Sequence, residues 1–327
     1  MYPYFCRIFG RRRVHQAAVS HPERSVCFVR VKFMTRYFVV PCGALACATI
    51  LAAGSPSPDR AARQRFTSRA EAVQVDVLVI DHGRLVTGLS ARDFDVRDDG
   101  VPQEVALVEV QRLPLNLICA FDTSGSVAGD LLRNLVDAAG ALLHRMEPQD
   151  RLALLSFSNR VHLISGLTSD RAAIGAALKT LHAEGRTTLR DGTFAALALR
   201  EEDRGRTLLL LFSDGRDTAS WLTEPGVLEI AKRSDVVAYP VAVHQPADHE
   251  HEKFLDNLAR ETGGRVVVAN ASANLQTTFT AILAEFRVRY VLSYIPKGVR
   301  ASGWHRLDVT LRQKSGTITA RRGYSAD

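Results

Sequence analysis

The sequence predicts an α/β fold: a doubly wound, mostly parallel six-stranded sheet with a small flanking β module. Apolar runs of strand length alternate with stretches of helical periodicity between residues 113 and 288. Several of these runs lack polar alternation, which is typical of parallel strands buried on both faces. Shorter alternating strands without helical periodicity lie on both sides of this region, and they predict the additional β module.

The first β segment is expected over residues 70–112. Residues 73–80 alternate like a half-buried strand, and a turn follows at 81–83. The Asp-Asp-Gly sequence at 98–100 is a strong hairpin signal, and residues 105–110 read as another strand. A segment of this length is too short to bury much core alone.

The α/β domain is expected over residues 113–288. Its strand candidates are 115–121, 152–157, 161–166, 206–212, 236–243 and 265–269. Six stretches with apolar residues three and four apart lie between and after these strands, and they predict helices on both faces of the sheet. The short connection between the second and third candidates allows only a hairpin, so one of them is predicted to be an antiparallel edge strand.

Residues 289–327 return to the strand pattern. Strands are expected at 289–294, 304–311 and 317–322, the last ending at Gly323-Tyr324. Because neither this segment nor 70–112 can bury a core alone, we expect the two to pair into one small sheet or sandwich.

The charge of the chain is concentrated at its N-terminus. The sequence has 42 Lys and Arg against 35 Asp and Glu, and eight of the basic residues but only one acid lie in residues 1–54. The remaining 34 basic and 34 acidic residues balance, which gives no electrostatic case for a nucleic-acid partner.

Residues 34–54 have the pattern of a secretory signal peptide. A short basic start at 34–36 precedes a 17-residue apolar stretch at 37–53 and small residues at its end. Residues 1–33 are interpreted as an extension from a start codon assigned too early, and 55–69 as a linker. We expect an exported protein of the periplasm, cell envelope or exterior, with a membrane contact only if the signal remains uncleaved as an anchor.

Cysteine usage fits export without an internal disulfide. Of the five cysteines, only Cys119 lies beyond the signal segment, and it falls inside an apolar strand, where a buried thiol is expected.

The residues with the most chemical information follow the strand at 115–120. The sequence Phe-Asp-Thr-Ser-Gly-Ser places Asp122, Ser124 and Ser126 in a turn at the carboxyl end of a central strand. Ligands bind at this edge of open α/β sheets. A carboxylate with two hydroxyls is a hard oxygen set that suits Mg²⁺, Mn²⁺ or Ca²⁺.

Two later loops supply further oxygens. Thr187 precedes a predicted helix, and Asp214 ends the apolar strand at 206–212. Since loops from several strand ends can converge at one point, they complete the predicted metal site. The predicted ligands are Asp122, Ser124, Ser126, Thr187 and Asp214.

This ordered set resembles the metal-ion-dependent adhesion site of von Willebrand factor type A (VWFA) domains. Asp-x-Ser-x-Ser, a later Gly-x-Thr and an Asp-Gly after an apolar strand carry the likeness. The flanks also resemble a bacterial, usually exported, VWFA-related domain family. The matching flanks are Gly88-Leu89 with Asp93-Phe94, Asp99-Gly100, Tyr290-Val291-Leu292 with Tyr294, Trp304-His305 and Arg322-Gly323-Tyr324.

The resemblance covers roughly residues 70–325 and implies a Rossmann-like VWFA fold with a metal-dependent protein-binding role in adhesion or assembly, not an enzyme. A protein partner would supply a carboxylate to the metal. Two positions depart from or add to the pattern: Arg186 stands where a second Gly is common, and Asp217 adds a carboxylate near Asp214. Asp217 is interpreted as a support of the metal ligands or as a helix cap.

Three alternatives stay open at this stage. The metal site could be silent in a structural or assembly protein. A metal-assisted hydrolase is another hypothesis, but no general base accompanies the hydroxyl ligands. His244, His249 and His251 could bind zinc, although a solvated loop with a helix cap explains them more simply.

Overall fold

The computed structural model describes residues 72–108, 113–200, 205–213, 217–243, 249–269 and 275–326. The expected signal peptide at 34–54, the segments on either side of it and the predicted ligand Asp214 lie outside these residues.

The described part of the chain contains fifteen strands, six α-helices and two three-residue 3₁₀ helices, Ala91–Asp93 and Gly125–Val127. The strands are β1 (Val73–Asp81), β2 (Arg84–Leu85), β3 (Phe94–Asp98), β4 (Val101–Gln103), β5 (Ala106–Leu107), β6 (Leu115–Asp122), β7 (Arg151–Phe157), β8 (Val161–Thr168), β9 (Arg206–Ser213), β10 (Val237–Val243), β11 (Val267–Ala269), β12 (Tyr290–Tyr294), β13 (Gly303–Leu311), β14 (Thr317–Thr319) and β15 (Gly323–Ala326). The helices are α1 (Asp130–Arg145), α2 (Arg171–Leu178), α3 (Leu189–Leu197), α4 (Glu224–Lys232), α5 (His249–Thr262) and α6 (Leu275–Arg287).

The predicted α/β fold class is confirmed by a six-stranded sheet in the order β11-β10-β9-β6-β7-β8. All its neighbouring pairs are parallel except β7 with β8, so β8 is the antiparallel edge strand that the short connection predicts. Every residue of β6 and β9 is buried. These two strands stand at the centre because their side chains are apolar on both faces.

Helices cover both faces of this sheet. On one face, α1, α2 and α6 pack over Leu117, Cys119 and Phe121 of β6. On the other face, α3, α4 and α5 pack over Ile118 and Ala120 of the same strand. Successive strand residues thus point to opposite layers. In the described part, no helix combines the length and apolar character that crossing a bilayer requires.

The flanking β module consists of two sheets, ordered β14-β1-β12-β5 (with β2 beside β1) and β15-β13-β3-β4. Antiparallel pairs join strands from before and after the α/β domain: β1 with β12 and with β14, and β3 with β13. One hydrophobic core contains side chains of both sheets, such as Val77 and Leu292 from the first and Phe94 and Leu307 from the second.

Two details of this module test the sequence interpretation. Asp99 and Gly100 form a two-residue hairpin loop with φ of 47° and 83°, the backbone that an Asp-Gly pair favours. The strand predicted at 317–322 is confirmed only over its first half, because β14 ends at Thr319 and pairs with β1. The chain then crosses to the other sheet, where a separate strand, β15, begins at Gly323 and pairs with β13.

Buried arginines join the β module to the α/β domain. The side chain of Arg289 is almost fully buried and donates hydrogen bonds to the Tyr239 hydroxyl (2.8 Å) and to the carbonyls of Gly263 and Thr319. The guanidinium of Arg206 on β9 pairs with the Asp76 carboxylate on β1. These charge-assisted contacts fix the module beside the sheet.

Candidate functional site

Asp122 is the last residue of β6 and is fully buried, so the turn predicted to contain it begins one residue later, at Thr123. Its Oδ1 accepts a hydrogen bond from the Ser124 amide (2.9 Å), and its Oδ2 accepts one from the Ser213 hydroxyl (2.8 Å). The hydroxyls of Ser124 and Ser126 lie 3.0 Å apart, and the Ser126 residue is exposed. The carboxylate is thus held in place, and the residue that carries one of the two hydroxyls is exposed.

The loop that carries Thr187 is tied to this turn by backbone hydrogen bonds. The amide of Gly125 donates to the Gly185 carbonyl (3.0 Å), and the amide of Glu184 donates to the Thr123 carbonyl (2.9 Å). Gly185 has φ of 79°, and a Cβ there would overlap the Asn159 side chain, so glycine is required at this point. The structure therefore brings the loop of Thr187 against the loop of Ser124 and Ser126, as convergence at the sheet edge predicts.

A third loop supports the site through residues that the sequence analysis missed. Ser213, at the end of β9, holds Asp122, whereas the predicted ligand Asp214 beside it lies outside the described residues. Thr218 accepts a hydrogen bond from the Thr187 amide through its hydroxyl (3.0 Å) and returns one from its own amide to the Thr187 carbonyl (2.9 Å). The sequence marks Ser213 and Thr218 only by their position near Asp214, on the third loop of the site.

Arg186 is held by its neighbours. Its amide donates to the Asn159 side-chain oxygen (2.9 Å), and its guanidinium donates to the Thr218 carbonyl. The side chain is exposed at the rim of the site.

Asp217 caps the start of α3. Its carboxylate accepts hydrogen bonds from the amide and side chain of Arg190 (both 2.9 Å) and from the Ser220 amide (3.0 Å). Burial alone would raise the pKa of Asp217, but the hydrogen bonds from Arg190 and Ser220 lower it below its usual value. Of the two interpretations of Asp217, the structure supports the helix cap.

The oxygens of the site fit a small divalent cation. An octahedral shell with metal–oxygen distances of 2.0–2.1 Å places neighbouring ligand oxygens about 2.9 Å apart, close to the separation of the Ser124 and Ser126 hydroxyls. The Thr187 hydroxyl makes no hydrogen bond within the described residues. The neighbouring Thr188 hydroxyl is buried and has no hydrogen-bond partner there either. Within the described residues, the Thr187 hydroxyl is therefore available as a metal ligand.

Two other features that the sequence singles out are Cys119 and a group of three histidines. Cys119 is free and buried, and burial raises the pKa of its thiol, so it is an inert core residue. His249 and His251 belong to the first turn of α5, and His244 lies outside the described residues.

A second cluster of potential metal ligands, Asp98, Asp99 and His305, lies in the β module. The buried Asp98 carboxylate accepts hydrogen bonds from the hydroxyls of Tyr294 (3.0 Å) and Tyr324 (2.8 Å) and contacts Nδ1 of His305 (2.9 Å). Asp99 binds the Arg300 guanidinium (3.0 Å). Asp98 thus belongs to a structural network that joins the two sheets, because Tyr294 lies on β12 while Asp98, His305 and Tyr324 lie on β3, β13 and β15.

Buried tyrosines predict a loss of stability at alkaline pH. Burial and the Asp98 carboxylate raise the pKa values of Tyr294 and Tyr324, and burial with Glu285 raises the pKa of Tyr239 to about 12 despite the opposing Arg289. In the unfolded chain these groups lose protons near pH 10, so above that pH the folded state binds more protons. We expect the free energy of unfolding to be unaffected by these groups below about pH 9 and to fall as the pH rises through 10 to 12.

Urea unfolding at several pH values, with tyrosinate absorbance recorded in parallel, tests this expectation. Ionisation of all tyrosines near pH 10 in protein that remains fully folded would contradict it.

Comparison with known proteins assigns the region that contains the loops of the candidate metal site to one family. The sequence model of the von Willebrand factor type A domain matches residues 116–281, about half of the chain, and the match includes Asp122, Ser124, Ser126 and Thr187. The uncharacterized protein sll0103 of Synechocystis sp. is 30% identical over 178 residues, which are 51% of this chain and 40% of that protein. Inter-alpha-trypsin inhibitor heavy chain H3 of Homo sapiens is 24% identical over 179 residues, 50% of this chain and 20% of that protein. This chain therefore spans less than half the length of these curated relatives.

Solved structures with a similar fold include von Willebrand factor type A from Catenulispora acidiphila, with a TM-score of 0.47, 13% identity and coverage of 76% of this chain and 75% of that one. Proximal thread matrix protein 1 from the mussel byssus, whose MIDAS motif is occupied by zinc, has a TM-score of 0.48 and 16% identity, with coverage of 57% of this chain and 49% of that one.

Proposed function

We propose, since this chain belongs to the von Willebrand factor type A domain family, that it is a protein-binding module whose site at the carboxyl end of β6 holds a divalent cation. The observation that carries the proposal is the convergence of two loops: the paired hydroxyls of Ser124 and Ser126 lie beside the loop of Thr187, above the buried Asp122. When bound, the ion supplies positive charge and a coordination position for a carboxylate of a protein partner.

Hydroxyl and carboxylate oxygens favour Mg²⁺, Mn²⁺ or Ca²⁺ as the ion. Asp122 supplies the negative charge, and Ser124, Ser126 and Thr187 supply neutral oxygens. Asp214 remains a predicted further ligand. Both oxygens of Asp122 already accept hydrogen bonds, so this carboxylate is poorly suited to act as a general base, which favours a binding module over a hydrolase.

We further propose that the protein acts outside the cytoplasm. The support is the signal-peptide pattern of residues 34–54, and an uncleaved signal would leave the module tethered to the membrane.

Isothermal titration of the protein with Mg²⁺, Mn²⁺ and Ca²⁺ tests the metal site, and a pair of matched variants tests its residues. We expect Thr187→Val to weaken the affinity for the best ion about tenfold, because it removes one neutral oxygen worth about 1.4 kcal/mol. Thr188→Val, the same change one residue later, should leave the affinity within about threefold, a difference of less than 1 kcal/mol.

The reverse pattern would assign the ligand to Thr188. Absence of heat with all three ions, together with no metal in the purified protein, would replace this proposal with a structural role and a silent site.

A further inference from the structure

We propose that Trp221 forms an apolar docking point beside the metal site, so that the partner presents a carboxylate to the ion and a large apolar side chain to the indole. This inference rests on the proposed function and specifies the chemistry of the partner. Trp221 is 84% exposed, the largest exposed fraction among the big hydrophobic residues of the described chain. Its neighbour in sequence, Leu222, is also exposed, and these two residues are called the apolar patch below.

The patch lies next to the candidate metal site. Thr218 and Ala219 both donate their amides to the carbonyl of Thr187, at 2.9 and 3.0 Å. Trp221 follows Thr218 by three residues, a chain length that spans at most about 11 Å. The Trp221 backbone therefore lies within about 11 Å of the Thr218 backbone, which contacts Thr187 directly.

The backbone under Trp221 is fixed before any partner binds. The carboxylate of Asp191 accepts hydrogen bonds from the amides of Trp221 (3.1 Å) and Leu222 (2.9 Å). The Ser220 hydroxyl accepts one from the Arg190 amide (3.1 Å). An exposed aromatic side chain on a rigid loop loses little further entropy on binding, and tryptophan is among the residues that most often dominate interface energies.

The Arg186 side chain is a positive charge at this rim that favours an acidic partner. The exposed Arg186 guanidinium donates to the Thr218 carbonyl, and within the described segments no carboxylate lies at ion-pair distance from it. A divalent cation at the adjacent site would add to this positive potential. The occupant that fits is a protein segment with an Asp or Glu and, within about three residues of it, a large aliphatic or aromatic side chain.

Selection from a phage-displayed library of random linear peptides, with the full-length protein as bait in Mg²⁺, tests the inference. We expect Mg²⁺-dependent peptides that share an acidic residue next to a large apolar one. Measured singly by fluorescence polarisation, these peptides should bind Trp221→Ala at least tenfold more weakly, and Trp221→Phe within about threefold of the wild type. Trp304→Ala, a tryptophan change in the β module, is the matched control and should leave binding unchanged.

The outcomes separate this inference from the proposed function. Peptides that need Mg²⁺ and Asp122 but bind Trp221→Ala as tightly as the wild type would overturn the role of Trp221 and leave the metal site standing. Failure to enrich any Mg²⁺-dependent peptide would contradict the proposed function itself, and this inference with it.

Discussion

Replacement of Asp122 by Asn should abolish the stabilisation of this protein by Mg²⁺ or Mn²⁺ while preserving the fold. Asp122 contributes the formal charge of the described ligand set, and the affinity for hard cations depends on that charge. It is also fully buried, with one oxygen bonded to the Ser124 amide and the other to the Ser213 hydroxyl. Asn keeps this shape, since its oxygen can accept from Ser124 and its amide can donate to Ser213.

The size of the effect follows from mass action. At a metal concentration of about 100 times Kd, the wild type should gain about 2.7 kcal/mol, which corresponds to a rise in Tm of roughly 5–10 °C for a domain of this size. Asp122→Asn should show no such rise, and its metal-free Tm should correspond to a loss of no more than about 1–2 kcal/mol. Alanine would be a poorer choice, because it leaves two donors unpaired.

Asp130→Asn is the control for nonspecific binding of cations to surface carboxylates. Asp130 begins α1 shortly after the Ser124 turn, and its side chain is 83% exposed. This variant should retain the full metal-induced rise. If Asp122→Asn responds to Mg²⁺ and Mn²⁺ as strongly as the wild type and Asp130→Asn do, the assignment of Asp122 is wrong.

The central sheet could be predicted from the sequence because strands that are buried on both faces are apolar along nearly their whole length. The strands β6 and β9 are near-continuous apolar runs in which every residue is buried. The connection between β7 and β8 is too short for a crossover, so the antiparallel edge also followed from sequence alone. Both signals are local in the sequence, so they can be recognised without knowledge of the tertiary structure.

The β module was less predictable because its strands are specified by distant partners. The sequence over 317–326 contains no local sign that β14 pairs with β1 while β15, a few residues later, pairs with β13 in the other sheet. The Asp99-Gly100 loop was predictable, since its positive φ angles are a property of the turn itself.

The candidate site likewise has a part with local sequence signals and a part that depends on distant contacts. Asp122, Ser124, Ser126 and Thr187 stand out by residue type and spacing at strand ends, and the structure brings their loops together. The supporting contacts of Ser213 and Thr218 join loops far apart in sequence. A serine or threonine near a strand end is too common to mark such a role before the geometry is known.

The Asp98 network is the part of the molecule where we expect the largest loss of stability from one substitution. Asp98 is fully buried and accepts hydrogen bonds from Tyr294 and Tyr324 while contacting Nδ1 of His305, itself fully buried. Truncation to Ala would leave these polar groups in the core without their acceptor. We therefore expect Asp98→Ala to lower the free energy of unfolding by about 3–5 kcal/mol, the range for breaking a buried polar network.

Urea unfolding at neutral pH measures this loss, with Asp95→Ala as the matched control. Asp95 lies on the same strand, β3, but its side chain is partly exposed and pairs with Arg97 and Arg312 at the surface. Surface ion pairs are worth about 1 kcal/mol or less, so the control should lose little. Because the network connects strands from before and after the α/β domain, Asp98→Ala should also expose the β module to proteolysis before the α/β domain. Equal losses in the two variants would show that burial of Asp98 does not hold the two sheets together.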